Sequence, residues 1–454
     1  MTPLIADSEV GETDPFLASF DTFEGEEMAS SPPSWLRPFR KAGLSRFAEL
    51  GFPTISDEDW RFTNVASISK LPFSPMGKTP SAGADRLSLD ILPFSGVPVH
   101  RLVFVDGHFA KDLSRIGALP PGVVVTNLAA GLSDPSLELE KRLGKLTQDS
   151  KNAFGALNSA YFTDGGLVII PPGTALGGAV HLCFVTTSSQ AGASTNVRNL
   201  VHVGQGASGT VLESFTGLNP ARTLTTCVNE TWVESEAYLE HIRFQDETLE
   251  SYHVGSLHYH LGSRSRCWAH SFSLGARLFR ANIRATLAGE GLECILNGLY
   301  LTRAEQLADH HMVVDHTQPN GTSHEYFNGI LDDRSRAVFH GRILVRQDAQ
   351  KTDAKQTNKN LLLSDEATVD TKPQLEIYAD DVKCTHGATT GHLDEDAIFY
   401  LRSRGIGLER ARRMLMHAFA GEIIERVQNE PLRAVLDRIV RNRLEQNPHV
   451  KVEI

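Results

Sequence analysis

The sequence has few cysteines and none of the short motifs that would group them. Its 454 residues include five cysteines, an odd number, and no Cys-x-x-Cys pair. This usage is typical of a reducing compartment and argues against a disulfide framework or a zinc ribbon. Ferredoxins hold their clusters with several closely spaced cysteines, so this chain alone would ligate such a cluster incompletely. The five are Cys183, Cys227, Cys267, Cys294 and Cys384.

Positive charge and long apolar runs are missing where a targeting signal or an anchor would need them. Residues 1–31 hold eight Asp and Glu and no Lys or Arg, which fits neither a secretory signal nor a transit peptide. The sequence contains no run of about eighteen apolar residues, which a spanning helix would need. A net charge of −11 also argues against a nucleic-acid scaffold. We therefore predict a cytoplasmic protein with a disordered acidic arm over residues 1–31, and neither membrane nor nucleic acid as a partner.

The common catalytic and nucleotide-binding motifs are absent as well. There is no Walker-type phosphate loop, and the turn Gly204-Gln205-Gly206 lacks the strand–helix context of a dinucleotide site. The glutamates of the middle region are too spread to indicate an acid–base pair. We therefore predict that the chain is not an enzyme and binds no nucleotide, so that any ATP hydrolysis would come from a partner.

What the sequence does have is a long β-rich middle. From Gly165 to about His392, runs such as Leu167–Ile170 and Ala337–His340 alternate with Gly, Asn and Asp and show no helical period. So many short strands predict a sandwich, a barrel or a β-solenoid. The lack of long loops favours the solenoid, as do polar residues suited to ladders between coils. These residues are Gln350, Thr352, Thr357, Asn358 and Asn360.

Helical patterns flank this middle region. We predict a helical and mixed N-terminal region over residues 32–160, a β core over 161–392 and a C-terminal helical domain over 393–454. Asp394 can cap the first C-terminal helix, and residues 408–427 carry apolar side chains at three- and four-residue steps. On its own this module is best interpreted as a cap on the end of a solenoid.

A thiol and an imidazole two residues apart form the most suggestive motif. In an extended strand, Cys384 and His386 project from the same face, and they are the softest common ligands for a transition metal. A Cys-x-His pair supplies two ligands, whereas a closed zinc site takes about four. Two interpretations therefore remain open: both residues pack in an interior, or both contribute to a shared metal site.

Histidines elsewhere offer a second metal hypothesis. Nine of the eighteen lie between residues 241 and 324, and His258 and His260 share a strand face. With Asp309 or Asp315 they could form a hydrolytic metal site. No fixed ligand spacing supports this site, so we favour polar stacking of these histidines within the β region.

Several ordered motifs resemble the C-terminal signature of the SufB/SufD family of iron–sulfur cluster assembly scaffolds. Cys384-x-His386-Gly387-Ala388-Thr389 is similar to the SufD branch, whereas the SufB branch carries an acid-His-acid arrangement there. A weaker likeness lies in Asp59-Trp60-Arg61-Phe62-Thr63-Asn64. The C-terminal motifs are Asn358-Lys359-Asn360-Leu361-Leu362-Leu363-Ser364, Pro373-Gln374-Leu375-Glu376-Ile377, Asp381-Val382-Lys383-Cys384-Thr385-His386-Gly387-Ala388-Thr389, Leu393-Asp394-Glu395 and Phe399-Tyr400-Leu401-Arg402-Ser403-Arg404-Gly405-Ile406.

The resemblance implies a fold and a function. The fold is a right-handed parallel β-helix flanked by N-terminal and C-terminal helical regions. The function is that of a non-enzymatic scaffold subunit that pairs with a SufB-like paralogue and is driven by a SufC-like ATPase docked on the C-terminal helical domain. A transient iron–sulfur cluster would be shared with the partner, with His386 the first candidate ligand and Cys384 the second.

Two rival functions stay open. The chain would be a purely structural adaptor if the partner held every cluster ligand. A β-helix carbohydrate-active enzyme is the rival from another class, although neither a secretion signal nor paired carboxylates support it. SufB-like and SufD-like folds present similar surfaces, so the isolated chain is also expected to form homodimers.

Overall fold

The centre of the molecule is a parallel β-solenoid. The computed structural model describes residues 15–28, 32–76, 87–148 and 151–445. Its strands form two ten-stranded sheets, and successive strands of the coil alternate between them. The β-solenoid expected from the sequence is therefore confirmed, with helices towards both ends of the chain. None of the helices in the described ranges is both long and apolar enough to cross a membrane.

Twenty strands are present in the described residues. One sheet, here the odd sheet, contains β4 and the odd-numbered strands except β3, and the even sheet contains β3 and the remaining strands. The strands are β1 (Ser74–Pro75), β2 (His100–Val105), β3 (His108–Phe109), β4 (Val124–Asn127), β5 (Gly166–Ile170), β6 (Ala175–Thr186), β7 (Ala193–Val203), β8 (Ser208–Gly217), β9 (Leu224–Val233), β10 (Tyr238–Asp246), β11 (Tyr252–Leu261), β12 (Arg266–Ser273), β13 (Leu278–Leu287), β14 (Glu293–Thr302), β15 (Leu307–His316), β16 (Thr322–Leu331), β17 (Arg336–Val345), β18 (Asp353–Leu362), β19 (Thr368–Ile377) and β20 (Lys383–Gly391).

Helices lie before and after the coil. The α-helices are α1 (Pro15–Met28), α2 (Leu36–Leu50), α3 (Ala66–Ser69), α4 (Leu128–Leu132), α5 (Ala153–Tyr161), α6 (Glu395–Ser403), α7 (Leu408–Ile424) and α8 (Glu430–Glu445). Short 3₁₀ helices are Glu58–Trp60, Leu89–Ile91, Lys111–Leu113, Pro135–Leu137 and Leu139–Lys141.

The two ends of the coil are built differently. At the start, β3 and β4 run antiparallel to their neighbours β2 and β5, and this reversal terminates both sheets. At the other end, β19 and β20 are the outermost strands of the odd and even sheets and run parallel to their neighbours. The coil therefore closes at its start and presents two parallel strands at its end.

Side chains on each strand alternate between the inside and the outside of the coil. On β10, Leu239 belongs to the central apolar core, whereas Ile242 and Phe244 join the cluster formed with the C-terminal helices. The register is kept from coil to coil, so that Cys267 on β12 lies beside Cys294 on β14. Each position therefore stacks on its counterpart one coil away.

The first helix lies where we predicted a disordered arm. Residues 15–28 form α1, and Phe16, Phe20 and Phe23 are buried around Tyr161. Aromatic residues at steps of four and three form one apolar helix face, and that face outweighs the local acidic charge. The prediction was wrong for this segment, and its other residues, 1–14 and 29–31, lie outside the described ranges.

The C-terminal helices do not cap the end of the solenoid, contrary to the interpretation from the sequence. Met416, Ala420 and Ile423 of α7 pack on the outer face of the even sheet, against residues such as Leu299 and Ile330. Outward-facing apolar side chains on successive even-numbered strands form a strip that must be covered. The helices cover this strip and leave the terminal strands β19 and β20 at the edges of their sheets.

Candidate functional site

Cys384 and His386 lie on β20, the last strand of the even sheet. Their register partners on β18 are Ala354 and Gln356, both of which are buried. Strand alternation places the thiol and the imidazole on one face, as predicted, in line with the columns that fill the interior of the preceding coil. Cys384 and His386 are therefore the last residues of two interior side-chain columns, because β20 is the outermost strand of its sheet.

The two side chains differ in exposure. His386 is exposed, as are the following residues 387–390, whereas Cys384 is partly buried beside the small apolar cluster that contains Ala354. His386 makes no side-chain hydrogen bond to any of the described residues. In the isolated chain His386 is therefore not a packed core residue, and only Cys384 partly fits the packing interpretation.

The thiol of Cys384 is not activated by its surroundings. Burial raises its pKa, the backbone of Ala354 lowers it and the nearby Asp353 raises it again, with a net upward shift. A thiolate is the form that binds metals, so metal binding here would have to displace the proton. The arrangement suits a ligand that forms when a metal arrives, rather than a reactive nucleophile.

Behind His386 lies a buried carboxyl group. Glu325 on β16, Gln356 on β18 and His386 on β20 occupy successive positions of one column, and the Gln356 amide donates to Glu325. Burial raises the pKa of Glu325 to about 7, although this hydrogen bond acts to lower it. The interior next to the site is therefore polar and holds a carboxyl group that titrates near neutrality.

Further inside the coil, charged groups neutralise one another. Burial alone would raise the pKa of Glu213, but the side chains of His241 and Arg243 and a hydrogen bond from Asn199 hold it at about 2. His310 stacks among aromatic rings, including that of Tyr300. These contacts agree with the polar stacking we favoured for the histidines.

The alternative hydrolytic metal site is not assembled. Asp309 accepts hydrogen bonds from Arg280 and Thr63, and Asp315 is paired with Arg346. In the described part of the chain, neither His258 nor His260 belongs to a group of three side chains close enough to hold a metal ion. Both carboxylates therefore serve as ion-pair partners.

The polar ladder expected from the sequence is only partly present. Asn358 and Asn360 are buried and hydrogen-bonded to each other, whereas Gln350 lies in a turn.

Large apolar side chains are exposed on the helices that follow β20. Phe399 and Tyr400 of α6 have 73% and 58% of their surface exposed, and Met414 of α7 has 44%. Asp394 caps α6 by accepting hydrogen bonds from the backbone of Asp396 and Ala397, as predicted. The capped helix α6 therefore presents two large aromatic side chains to solvent.

Comparison with known proteins agrees with the motifs. The sequence model described as the SufBD core domain of SUF-system FeS cluster assembly matches residues 184–419. A second, described as the SufBD protein N-terminal region, matches residues 16–182. The core match includes both Cys384 and His386 as well as the exposed residues of α6.

Individual relatives cover most of the chain. An iron–sulfur cluster assembly SufBD family protein of Synechocystis is 34% identical over 88% of both chains. The iron–sulfur cluster assembly protein SufD of Escherichia coli is 33% identical over 92% of this chain and 94% of its own. The chloroplastic protein ABCI7 of Arabidopsis thaliana is 29% identical over 93% of this chain and 89% of its own. The chain thus belongs to the SufBD family of iron–sulfur cluster assembly proteins and is SufD-like.

Proposed function

We propose that the chain is a non-enzymatic scaffold subunit that pairs with a SufB-like paralogue, and that the nascent cluster forms between the two chains at β20. The observation that carries this proposal is the position of His386, exposed on the outermost strand of the even sheet and next to Cys384. An edge strand offers unpaired backbone groups to a partner, and here it offers two metal ligands at the same place.

The ligand number fits a cluster that is cargo rather than a resident cofactor. One imidazole and one thiolate leave an iron–sulfur cluster incompletely held, so the partner must complete its ligand set. Few ligands from each chain also favour release, because movement of one subunit against the other removes part of the coordination. His386 is the first ligand in this proposal, and Cys384, whose proton must leave, is the second.

The SufC-like ATPase is proposed to dock on the C-terminal helical domain. Phe399, Tyr400 and Met414 are large apolar side chains exposed on these helices, and exposed apolar residues of this kind mark protein interfaces. Because α7 packs directly on the even sheet, force applied to these helices would reach the sheet that ends in β20. This chain supplies no nucleotide site in the proposal, and the ATPase supplies the energy.

The first test is the iron and acid-labile sulfide content of the complex. The chain is co-expressed with SufB-like and SufC-like partners and purified without oxygen, as wild type, His386→Ala and Cys384→Ala. We expect His386→Ala to lower iron and sulfide together while the complex stays intact, and Cys384→Ala to lower them less. His392→Ala is the matched control, since His392 is exposed just beyond β20 and, among the described residues, hydrogen-bonds only to the Leu362 carbonyl.

Unchanged loading in His386→Ala, with complex formation intact, would overturn the ligand role and make the chain a structural adaptor. Loss of folding in Cys384→Ala would assign Cys384 to packing. The homodimer of the isolated chain and the cytoplasmic location both stay predictions, and one of the relatives is named as chloroplastic.

A further inference from the structure

A separate group of metal-binding side chains lies on the odd sheet. His311 on β15 and His340 on β17 are direct register partners, and their ring centroids are 4.3 Å apart. Asp59, from the 3₁₀ helix Glu58–Trp60, places its Oδ1 atom 3.6 Å from Nε2 of His311. One potential ligand atom from each of the three lies within 4.8 Å of the other two. A carboxylate and two imidazoles therefore converge from three elements.

The N-terminal segment is fixed over these histidines by specific contacts. The guanidinium of Arg280 lies 3.7 Å from the centre of the Trp60 ring, and the Thr63 hydroxyl donates to Asp309 on β15. Arg280 and Asp309 also form a buried ion pair. Asp59 is thus held beside the histidines by the contacts of two residues that follow it in the sequence, Trp60 and Thr63. The side chain of Asp59 remains 59% exposed, so it can adjust to a ligand.

The side chain of His340 has a free nitrogen. His340 is only 7% exposed, and its Nε2 atom is buried without a hydrogen-bond partner among the described residues. An unpartnered buried nitrogen costs free energy, and a metal ion would satisfy it.

The surrounding positive charges are neutralised by other groups. Arg280 pairs with Asp309, Lys372 with Glu58 at 2.7 Å, and Arg342 with Glu376 at 3.6 Å. Burial lowers the pKa of both His311 and His340. Arg280, Arg342 and Lys372 add to this shift at His311, and Lys372 adds to it at His340. The neutral imidazole is the form that binds metals. With each cation paired, the carboxylate of Asp59 remains as the local charge that favours a cation.

We propose that Asp59, His311 and His340 form a binding site for a divalent transition metal of the Fe²⁺, Co²⁺ and Zn²⁺ class. Bonds of about 2.0–2.2 Å place the ligand atoms of one metal roughly 3–4 Å apart, and the Asp59–His311 distance of 3.6 Å fits this spacing. Two histidines and one carboxylate leave further positions for water, an arrangement that these ions accept. The inference does not depend on the proposed function, because it concerns the chain alone and a metal ion.

The test is Co²⁺ binding to the purified full-length chain, followed by visible absorption and calorimetry. We expect one Co²⁺ per chain, with ligand-field bands typical of nitrogen and oxygen ligands and without the thiolate charge-transfer band that Cys384 would produce. Excess Zn²⁺ should displace the Co²⁺. Asp59→Asn and His340→Gln should each weaken binding by about 10-fold or more. Asp59→Asn is the primary variant, since the exposed Asp59 side chain can change without disturbing the core.

The control is His260→Gln, a partly buried histidine on β11 of the same odd sheet. It should bind Co²⁺ like wild type. The double variant Cys384→Ala with His386→Ala should also retain the signal, which separates this site from the one on β20. Failure of wild type to bind Co²⁺, or equal binding by wild type and Asp59→Asn, would overturn the proposal. Thermal melting without metal identifies a variant that is merely misfolded.

Discussion

Glu325 is the residue whose ionisation should make stability depend on pH near neutrality. Its pKa in the folded protein is raised to about 7 by burial, above its ordinary value of 4.5. Between these two pKa values the carboxyl group stays neutral in the folded protein but ionises in the unfolded chain. The contribution of Glu325 to the free energy of unfolding is therefore fully present below about pH 4.5 and is lost as the pH rises through about 7. The loss amounts to about 3 kcal/mol.

The Glu325→Gln variant should remove this dependence. Its free energy of unfolding, measured by denaturant titration, should fall less than that of wild type between pH 5 and pH 8. Glu366→Gln, at an exposed turn, is the control and should follow wild type. Identical pH profiles for wild type and Glu325→Gln would mean that Glu325 is ionised within the fold.

At this scale the sequence predicts contacts along a strand but not contacts across the molecule. The shared face of Cys384 and His386 follows from strand alternation, and the structure agrees. The convergence of Asp59 with His311 and His340 depends on the register between coils and on where the N-terminal segment packs on the odd sheet. No local spacing carries that information, so residues 252 positions apart or more could not be grouped from the sequence.

At the scale of elements, α1 shows how an apolar face overrides a charged composition. Phe20→Ala removes a ring that is 2% exposed and packs edge-on against Tyr161. Truncation of a buried Phe costs about 3–5 kcal/mol in a core. Because Phe20 packs α1 against Tyr161 of α5, we expect local release of the helix, with faster amide exchange over residues 15–28 and little change in the unfolding of the solenoid.

Thr22→Ala, on the exposed side of α1, is the matched control and should leave exchange unchanged. Global unfolding of Phe20→Ala at a much lower denaturant concentration would instead show that α1 is an integral part of the core.

The type of an element was predictable where its pattern of apolar residues extends over many residues, as in the β-rich middle and in α7. The packing partner of α7 was not, because an apolar helix face fits a sheet face as well as it fits the end of a coil.

For the whole molecule, the exposed end at β20 should control assembly. Ala388→Arg places a long charged side chain on the exposed part of this strand. It should weaken pairing with the SufB-like partner, measured by light scattering of co-purified proteins, because burying an unpaired charge in an interface costs several kcal/mol. The melting temperature of the isolated chain should stay the same.

Ala130→Arg makes the same change on the exposed surface of α4, far from β20 in the coil, and should pair like wild type. If both variants pair equally well, the partner binds elsewhere.

The solenoid class was predictable from the many short strands. The location of the uncovered end was not, because it depends on which surface the C-terminal helices cover.

The difference between the two ends of the coil also limits how far assembly can proceed. In the described part of the chain, the antiparallel strands β3 and β4 close the sheets at one end, and only β19 and β20 continue the parallel stacking at the other. A chain that can pair through only one end of its coil forms a two-chain complex and adds no further chains. Parallel β-solenoids that stack at both ends would grow into fibres, whereas this geometry makes a two-chain product the natural limit.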